Sequence, residues 1–141
     1  MKNHFHFLVR IREDLSESSY PAGFSKPLSN LFNAYSRTVN RAYGRTGALF
    51  QRPFGRIPVE DEAYLHRLIV YIHQNPQKHR FVNDFREWPF SSWHRLFYDQ
   101  DAFINRENVM KLFPVRRRWK ASHQKMIAGV ELEALAPEYF Q

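Results

Sequence analysis

The sequence predicts an α+β protein, with a strand near its start, an extended segment near its middle and a series of amphipathic helices. Three observations lead to this class: apolar and polar residues alternate over 3–12, a helical period begins at Leu28, and a second one follows Asp61. The length of 141 residues suits one domain with a single core, and shares of 43% hydrophobic and 25% charged residues are typical of globular proteins.

The predicted strand at 3–12 carries two histidines on one face. Because side chains alternate along a strand, His4 and His6 point the same way. Two imidazoles on one face supply part of a small metal site, which needs a third ligand from elsewhere in the chain. A His-x-His pair is also often incidental, and the pair alone does not separate these alternatives. The apolar face of the strand consists of Phe5, Phe7, Val9 and Ile11.

A helix and then an extended segment follow this strand. Gly44 is the predicted C-terminal cap of the helix, because glycine adopts the left-handed conformation at which many helices end. Over 49–59 aromatic and basic side chains alternate, and Pro53 and Pro58 place this segment at the edge of a sheet, since proline cannot donate a ladder hydrogen bond. The apolar stripe of the helix is formed by Leu28, Leu31, Phe32, Tyr35 and Val39.

Two helices are predicted next. Asp61 is the candidate N-cap of the first, and Pro76 is its predicted end. The aromatic turn Trp88–Trp93 then leads into a short helix that continues to about Tyr98. The core stripe of the first helix consists of Leu65, Leu68, Ile69 and Ile72.

The remaining segment, 99–141, is predicted to be a helical C-terminal extension. Asn105 is the candidate cap of one helix, with Ile104 and Val109 placed as a hydrophobic staple across its first turn. A basic helix is predicted over roughly 116–128, and Gly129 stops it. We therefore divide the chain into a domain at 1–98 and an extension at 99–141.

Positive charge is concentrated in one part of the chain. The net charge is +7, yet no Asp or Glu occurs between Ser18 and Val59. A one-sign field of this length attracts polyanions, and an aromatic share of 16% provides rings on which bases can stack. Nucleic acid is the favoured partner, and a plain solvated basic surface is the alternative. The basic residues of this segment are Lys26, Arg37, Arg41, Arg45, Arg52 and Arg56.

The helix after Asp61 carries the candidate chemistry. Tyr71 and Asn75 are four residues apart, so they are neighbours on one helix face. A phenol beside an amide oxygen suits phosphoryl transfer if a divalent ion, held by His4, His6 and Asn75, polarises the phosphate. Gln74 is a possible alternative ligand. In the alternative without chemistry, Tyr71 packs in an amphipathic helix, and Asn75 before Pro76 only ends it.

Four ordered motifs resemble those of one protein family. Asn3–Val9 (Asn-His-Phe-His-Phe-Leu-Val) resembles the His-x-His strand of the single-tyrosine HUH transposases. Tyr71–Pro76 and Trp88–Trp93 are similar to the tyrosine–asparagine–proline motif and the aromatic-Ser-Ser-aromatic box of their REP-associated tyrosine transposase branch. Gly47–Phe54 is similar to a third segment of that branch. The resemblance covers about residues 3–98, and four motifs in the right order make it specific.

The resemblance implies a fold, a site and a reaction. The fold is a ferredoxin-like antiparallel sheet with helices packed on it. His4, His6 and Asn75 would bind Mg²⁺ or Mn²⁺, and Tyr71 would attack a phosphate of hairpin-bearing single-stranded DNA. The products would be a 5′-phosphotyrosine link and a free 3′-hydroxyl. We expect the DNA contacts to come from Arg37, Arg41, Arg45, Arg52 and Arg56.

The chain departs from the family at its start. Family members carry a strand, a helix and another strand before the His-x-His strand, so we expect the domain at 1–98 to be N-terminally incomplete. The family contains monomers and dimers, and a monomer or a homodimer is expected. The sequence contains no cysteine, signal peptide or apolar run of bilayer length, so a cytoplasmic protein is expected.

The leading interpretation is a metal-dependent DNA transposase with a tyrosine nucleophile. The first alternative is an inactive or domesticated copy that binds structured single strands without cutting them. The second is a structural or assembly protein whose basic face docks a partner.

Overall fold

The computed structural model describes residues 5–11, 25–51, 55, 57–59, 61–98 and 103–126. All regular structure within these ranges is helical, and none of the helices there is long and apolar enough to cross a bilayer. The elements are α1 (Ser25–Ala42), α2 (Glu62–Lys78), a 3₁₀ helix (Phe85–Glu87), α3 (Ser92–Tyr98), α4 (Arg106–Leu112) and α5 (Arg116–Ser122).

The predicted α+β fold with a ferredoxin-like antiparallel sheet is wrong for the part of the chain that the structure describes. No strand occurs there, and residues 5–11, predicted as a strand, belong to neither a strand nor a helix. A strand requires hydrogen bonds to a neighbouring strand, and an alternating pattern does not supply that neighbour. The apolar face that the pattern predicted is also uncovered, since Phe7 is 63% exposed and Val9 52% exposed. The described residues of the predicted edge strand at 49–59 likewise form no strand.

The chain divides into two compact units. One is Leu8–Arg56, called here the α1 unit, and the other combines Met1–Phe7 with Ile57–Gln141, called here the α2–α5 unit. In the α2–α5 unit, residues on both sides of residue 98 contribute to one core, as described below. The division into a domain at 1–98 and an extension at 99–141 stays a prediction.

The α1 unit confirms the predicted helix and its cap. Gly44 has a φ of 61°, in the left-handed region, and the Arg45 N–H donates to the Asn40 carbonyl at 2.9 Å. A backbone bond between residues five apart is typical of a helix that ends with a glycine in the left-handed conformation. The chain then folds back, and the ring of Phe50 lies 5.1 Å from that of Phe32, centroid to centroid. None of the residues of α1 is buried.

Helix α2 begins as predicted and ends later than predicted. The Asp61 carboxylate accepts hydrogen bonds from the N–H groups of Ala63 and Tyr64 at 2.9 and 3.1 Å, which confirms the N-cap. The predicted end at Pro76 is wrong, because the helix continues to Lys78 with the proline inside it. A proline removes only its own N–H donor, and its carbonyl still accepts from the Phe81 N–H at 2.9 Å.

One face of α2 is the centre of the core. Val70 is fully buried there, and Trp93 from α3 stacks on Trp119 from α5 with ring centroids 5.0 Å apart. Phe113 lies edge-on against Trp119 at 4.7 Å and is also fully buried. The buried members of this core are Ile69, Val70, Phe85, Trp93, Leu96, Phe113 and Trp119. Residues predicted as an extension therefore pack on the same helix as residues before position 98.

The short helices largely follow their predicted caps. Asn105 caps α4 by accepting from the Asn108 N–H at 3.2 Å, which confirms that cap. Ile104 and Val109 both pack against the core, and the staple between them stays a prediction. Helix α5 is shorter than the predicted 116–128, since it ends at Ser122 and its C-cap residue is His123. The predicted stop at Gly129 lies outside the described residues.

Candidate functional site

Tyr71 lies on the side of α2 away from the main core. It belongs to a second cluster with Tyr64, which precedes it by two helical turns on the same face. Partly buried apolar side chains complete this cluster, and Tyr71 itself is 9% exposed. These side chains are Ile57, Val59, Leu68 and Ile72. The candidate nucleophile is therefore held in an apolar setting with only a small part of its surface open.

His6 is next to Tyr71. The two rings meet edge to face, with centroids 5.8 Å apart, and both residues belong to the α2–α5 unit. Two residues that the sequence predicted for one site, 65 positions apart in the chain, are thus in contact. His4, the other predicted imidazole ligand, lies outside the described residues.

Asn75 lies one helical turn after Tyr71 and is completely buried. Within the described part of the chain, neither its amide oxygen nor its amide nitrogen has a hydrogen-bond partner. A buried polar atom without a partner costs about 1–3 kcal/mol, and a bound water or ion would offset that cost. Amide oxygen and imidazole nitrogen together suit a divalent ion such as Mn²⁺, and the donors present fit the predicted metal.

The side chain of Gln74, the predicted alternative ligand, makes structural hydrogen bonds. Its side-chain amide donates to the carbonyls of His123 at 3.0 Å and Lys125 at 2.9 Å, and the residue is 1% exposed. These two bonds connect α2 to the residues that follow α5. The amide nitrogen of Gln74 is therefore committed to holding the two segments together.

A buried network of hydrogen bonds, called here the histidine network, lies on the same side of α2 as the core. His73 Nδ1 is 3.0 Å from His123 Nε2, and His73 Nε2 is 2.8 Å from the Ser92 hydroxyl. His123 Nδ1 is 2.8 Å from the Trp119 carbonyl oxygen. A carbonyl only accepts, so His123 Nδ1 carries a proton and its Nε2 accepts from His73 Nδ1–H. The Ser92 hydroxyl then donates to His73 Nε2.

Burial favours the neutral form of both histidines. Burial, and then the proximity of His123, lower the pKa of His73 to about 3. Burial lowers the pKa of His123 to about 4, against a smaller opposite effect of its bond to the Trp119 carbonyl. His73 was not among the site residues predicted from the sequence. Its partners are 50 and 19 residues away, and no local pattern indicates such a pairing.

Lys78 is a second residue that the sequence reasoning missed. Its ammonium nitrogen lies 5.0 Å from the centroid of the Tyr71 ring. Position 78 is two helical turns after position 71, so helical spacing alone could have identified it. A cation at this distance interacts favourably with the ring face, and its charge would attract a phosphate that approaches Tyr71.

The predicted DNA-contacting arginines belong to the α1 unit. Arg37 and Arg41 are exposed on α1, and Arg45 is exposed in the turn that follows. Arg52 and Arg56 lie outside the described residues. The arginines that are described form part of a helical surface without buried residues.

One comparison with known proteins finds a relative. The chain is 27% identical over 100 residues to a protein of Haemophilus influenzae named "Putative REP-associated tyrosine transposase". The match covers 67% of this chain and 56% of that relative's own length. No family model matches the chain, and no solved structure matches it. The resemblance predicted from the four motifs is thus confirmed as a distant relationship to a protein of that name.

Proposed function

We propose that this chain cleaves single-stranded DNA by attack of the Tyr71 hydroxyl on a backbone phosphate, with a divalent cation bound beside it. One observation above all supports this proposal: His6 contacts Tyr71, and the unpaired amide of Asn75 lies one turn away on the same helix. The relationship to a named tyrosine transposase adds independent support.

The reaction requires little from the protein beyond placement and charge. The Tyr71 oxygen forms a bond to phosphorus, and the bond from phosphorus to the 3′ oxygen of the preceding nucleotide breaks. The phenol proton passes to water, and the departing 3′ oxygen takes up a proton from water. The protein then carries the downstream strand as a 5′-phosphotyrosine, and a 3′-hydroxyl is released.

The proposed site residues have separate tasks in that reaction. His4, His6 and Asn75 would hold Mg²⁺ or Mn²⁺, which when bound would polarise the phosphate and stabilise its developing negative charge. Lys78 attracts the phosphate towards the face of the Tyr71 ring. Because Tyr71 is 9% exposed, the substrate has to reach its oxygen through a narrow opening or displace part of the cover.

The test is formation of a covalent adduct with a hairpin-bearing oligonucleotide in Mn²⁺. We expect a label on the 3′ end to remain with the protein and a label on the 5′ end to be released. Tyr71→Phe should abolish the adduct, because it removes the attacking oxygen. A second buried tyrosine provides the matched control: Tyr64 has a hydroxyl with no hydrogen-bond partner among the described residues, so Tyr64→Phe should leave the adduct intact.

Two results would contradict the proposal. An adduct that persists in Tyr71→Phe would mean that another residue is the nucleophile. Binding of the hairpin by the unmodified chain without any adduct would favour the alternative of a module that binds single strands without cutting them.

A further inference from the structure

Four aromatic residues form a line of rings, called here the aromatic strip, between α2 and α3. The strip consists of His79, Phe81, Trp88 and Phe90. Neighbouring ring centroids are 6.4 Å apart for His79 and Phe81, 6.0 Å for Phe81 and Trp88, and 5.5 Å for Trp88 and Phe90. Phe90 is 84% exposed, so the strip ends in a ring that stands almost entirely in solvent.

The backbone beneath these rings is held by hydrogen bonds. The Phe81 N–H donates to the Pro76 carbonyl at 2.9 Å, and the Trp88 N–H donates to the Phe85 carbonyl at 3.2 Å. Phe85 itself is buried in the core, and its N–H donates to the Gln77 side chain at 3.0 Å. The backbone that carries Phe81 and Trp88 is thus fixed before any partner arrives, which lowers the entropic cost of binding one.

The aromatic strip begins one residue after Lys78, the cation that contacts the candidate nucleophile. His79 is the C-cap residue of α2, and the preceding residue, Lys78, places its ammonium group over the Tyr71 ring. Arg80 adds a second exposed cation at this end of the strip. The nearby carboxylate of Asp84 pairs with Arg86, so this acid does not oppose the two cations.

We infer that the aromatic strip is a stacking subsite for the bases of the single strand whose phosphate Tyr71 attacks. This inference rests on the proposed function for the identity of the strand. Exposed rings bind bases of any sequence through their flat faces, and cations beside the rings bind the linking phosphates. The net charge of +7 favours a polyanion over an apolar peptide as the occupant.

The test compares two exposed phenylalanines in the Tyr71→Phe background, which binds DNA without cutting it. Phe90→Ala removes the end of the strip, whereas Phe103→Ala removes a ring that is 97% exposed and outside the strip. Stacking on one ring corresponds to a change in affinity of roughly 5- to 150-fold. We expect Phe90→Ala to weaken binding of a thymidine oligonucleotide within that range and Phe103→Ala to leave binding unchanged.

An abasic oligonucleotide of the same length separates base stacking from attraction to the backbone. We expect Phe90→Ala to leave its affinity unchanged, because the strand keeps its phosphates and lacks bases. An equal loss for the normal and the abasic strands, or no loss for either, would overturn the inference. Binding of an apolar peptide but no base-dependent binding of DNA would overturn it as well.

Tryptophan fluorescence provides an independent measurement of contact between the DNA bases and the aromatic strip. Trp93 and Trp119 are 8% and 1% exposed, so quenching by acrylamide reports mainly on Trp88. The thymidine oligonucleotide should protect Trp88 from the quencher, and Trp88→Phe should remove that signal while it keeps a ring for stacking. Unchanged quenching at saturating DNA would contradict the inference. If the strip passes both tests and the unmodified chain forms no adduct, the subsite stands and only the proposed cleavage fails.

Discussion

At the scale of single residues, the adjacent side-chain amides of Gln74 and Asn75 differ in their hydrogen bonding. Both are buried, yet the Gln74 amide donates two hydrogen bonds, whereas neither polar atom of Asn75 has a partner among the described residues. A buried amide without partners lowers the stability of a fold, and such groups occur where a ligand compensates. The two residues therefore differ in what their removal should do.

We predict that Asn75→Leu stabilises the metal-free protein and abolishes metal-dependent adduct formation. Leucine has the same branched skeleton of side-chain heavy atoms and leaves no unpaired polar atom, so the free energy of unfolding should rise by up to about 1–3 kcal/mol. Thermal unfolding in a chelator measures the first effect, and the oligonucleotide assay in Mn²⁺ measures the second. Gln74→Leu is the matched control, and it should destabilise by a similar amount because it leaves two carbonyls unpaired. If both variants destabilise equally, the Asn75 amide has a structural partner and is not a free ligand.

The sequence predicted which residues of α2 share a helix face, but it did not predict hydrogen-bond partners that are far apart in the chain. Tyr71 and Asn75 were predicted to share a helix face because the spacing of a helix is fixed, and Lys78 follows by the same rule. His123 and Ser92 could not be predicted as partners of His73, because that pairing depends on how whole helices pack. The contact between His6 and Tyr71 was expected from the chemistry of a metal-assisted site and from the resemblance to a family, because no local spacing relates the two residues.

At the scale of elements, the C-terminal end of α5 is fastened to α2 by polar contacts as well as by packing. His73 bonds to His123, and Gln74 bonds to the carbonyls of His123 and Lys125. His66 adds a third contact, with Nε2 3.2 Å from the Ser122 hydroxyl. These contacts fix α5 against the helix that carries Tyr71, on the side opposite its cluster.

We predict that acid weakens this attachment between pH 7 and pH 5. The unfolded chain takes up protons at both histidines below about pH 6.5, while the folded chain keeps His73 and His123 neutral down to pKa values of about 3 and 4. The unfolded state therefore binds more protons, and stability falls as pH falls. From pH 7 to pH 5 the loss is about 2 kcal/mol for each histidine.

Urea unfolding at pH 7 and pH 5 measures this loss. His123→Gln should reduce the dependence on pH, since one buried titrating group is gone, even though its stability at pH 7 is lower. Gln74→Leu, which weakens the same attachment and removes no titrating group, should keep the full dependence. Equal stability of the unmodified protein at both pH values would show that the two histidines are accessible to protons in the folded state.

Elements were predicted correctly where local chemistry determines them. The caps at Gly44, Asp61 and Asn105 are local, because each depends on one side chain or one backbone conformation and the turn beside it. The strands were wrong because strand formation depends on a neighbour that the alternating pattern cannot specify. The end of α2 was misplaced because a proline near a C-terminus costs the helix only one hydrogen bond.

At the scale of the whole molecule, basic charge is present in both units, and the arginines of α1 are proposed to contact the DNA backbone. Each phosphate contact of a single strand contributes about −0.7 to the slope of log affinity against log salt concentration. Arg37→Gln and Arg41→Gln should therefore each make the slope shallower by about 0.7. Lys111→Gln is the control, because Lys111 pairs with Glu107 at 3.1 Å and is not among the proposed contacts. Slopes unchanged in both arginine variants would remove α1 from the DNA interface.

The several roles of α2 limit which substitutions this helix can accept during evolution. Eight of its 17 residues are buried, and they serve the core, the histidine network and the candidate site at once. A substitution there that suits one of these roles will usually harm another. Helix α1 has 18 residues and buries none, so packing constrains its surface less than that of α2. Under the proposed function, specificity for a DNA target can therefore diverge between lineages while the candidate chemistry on α2 stays the same.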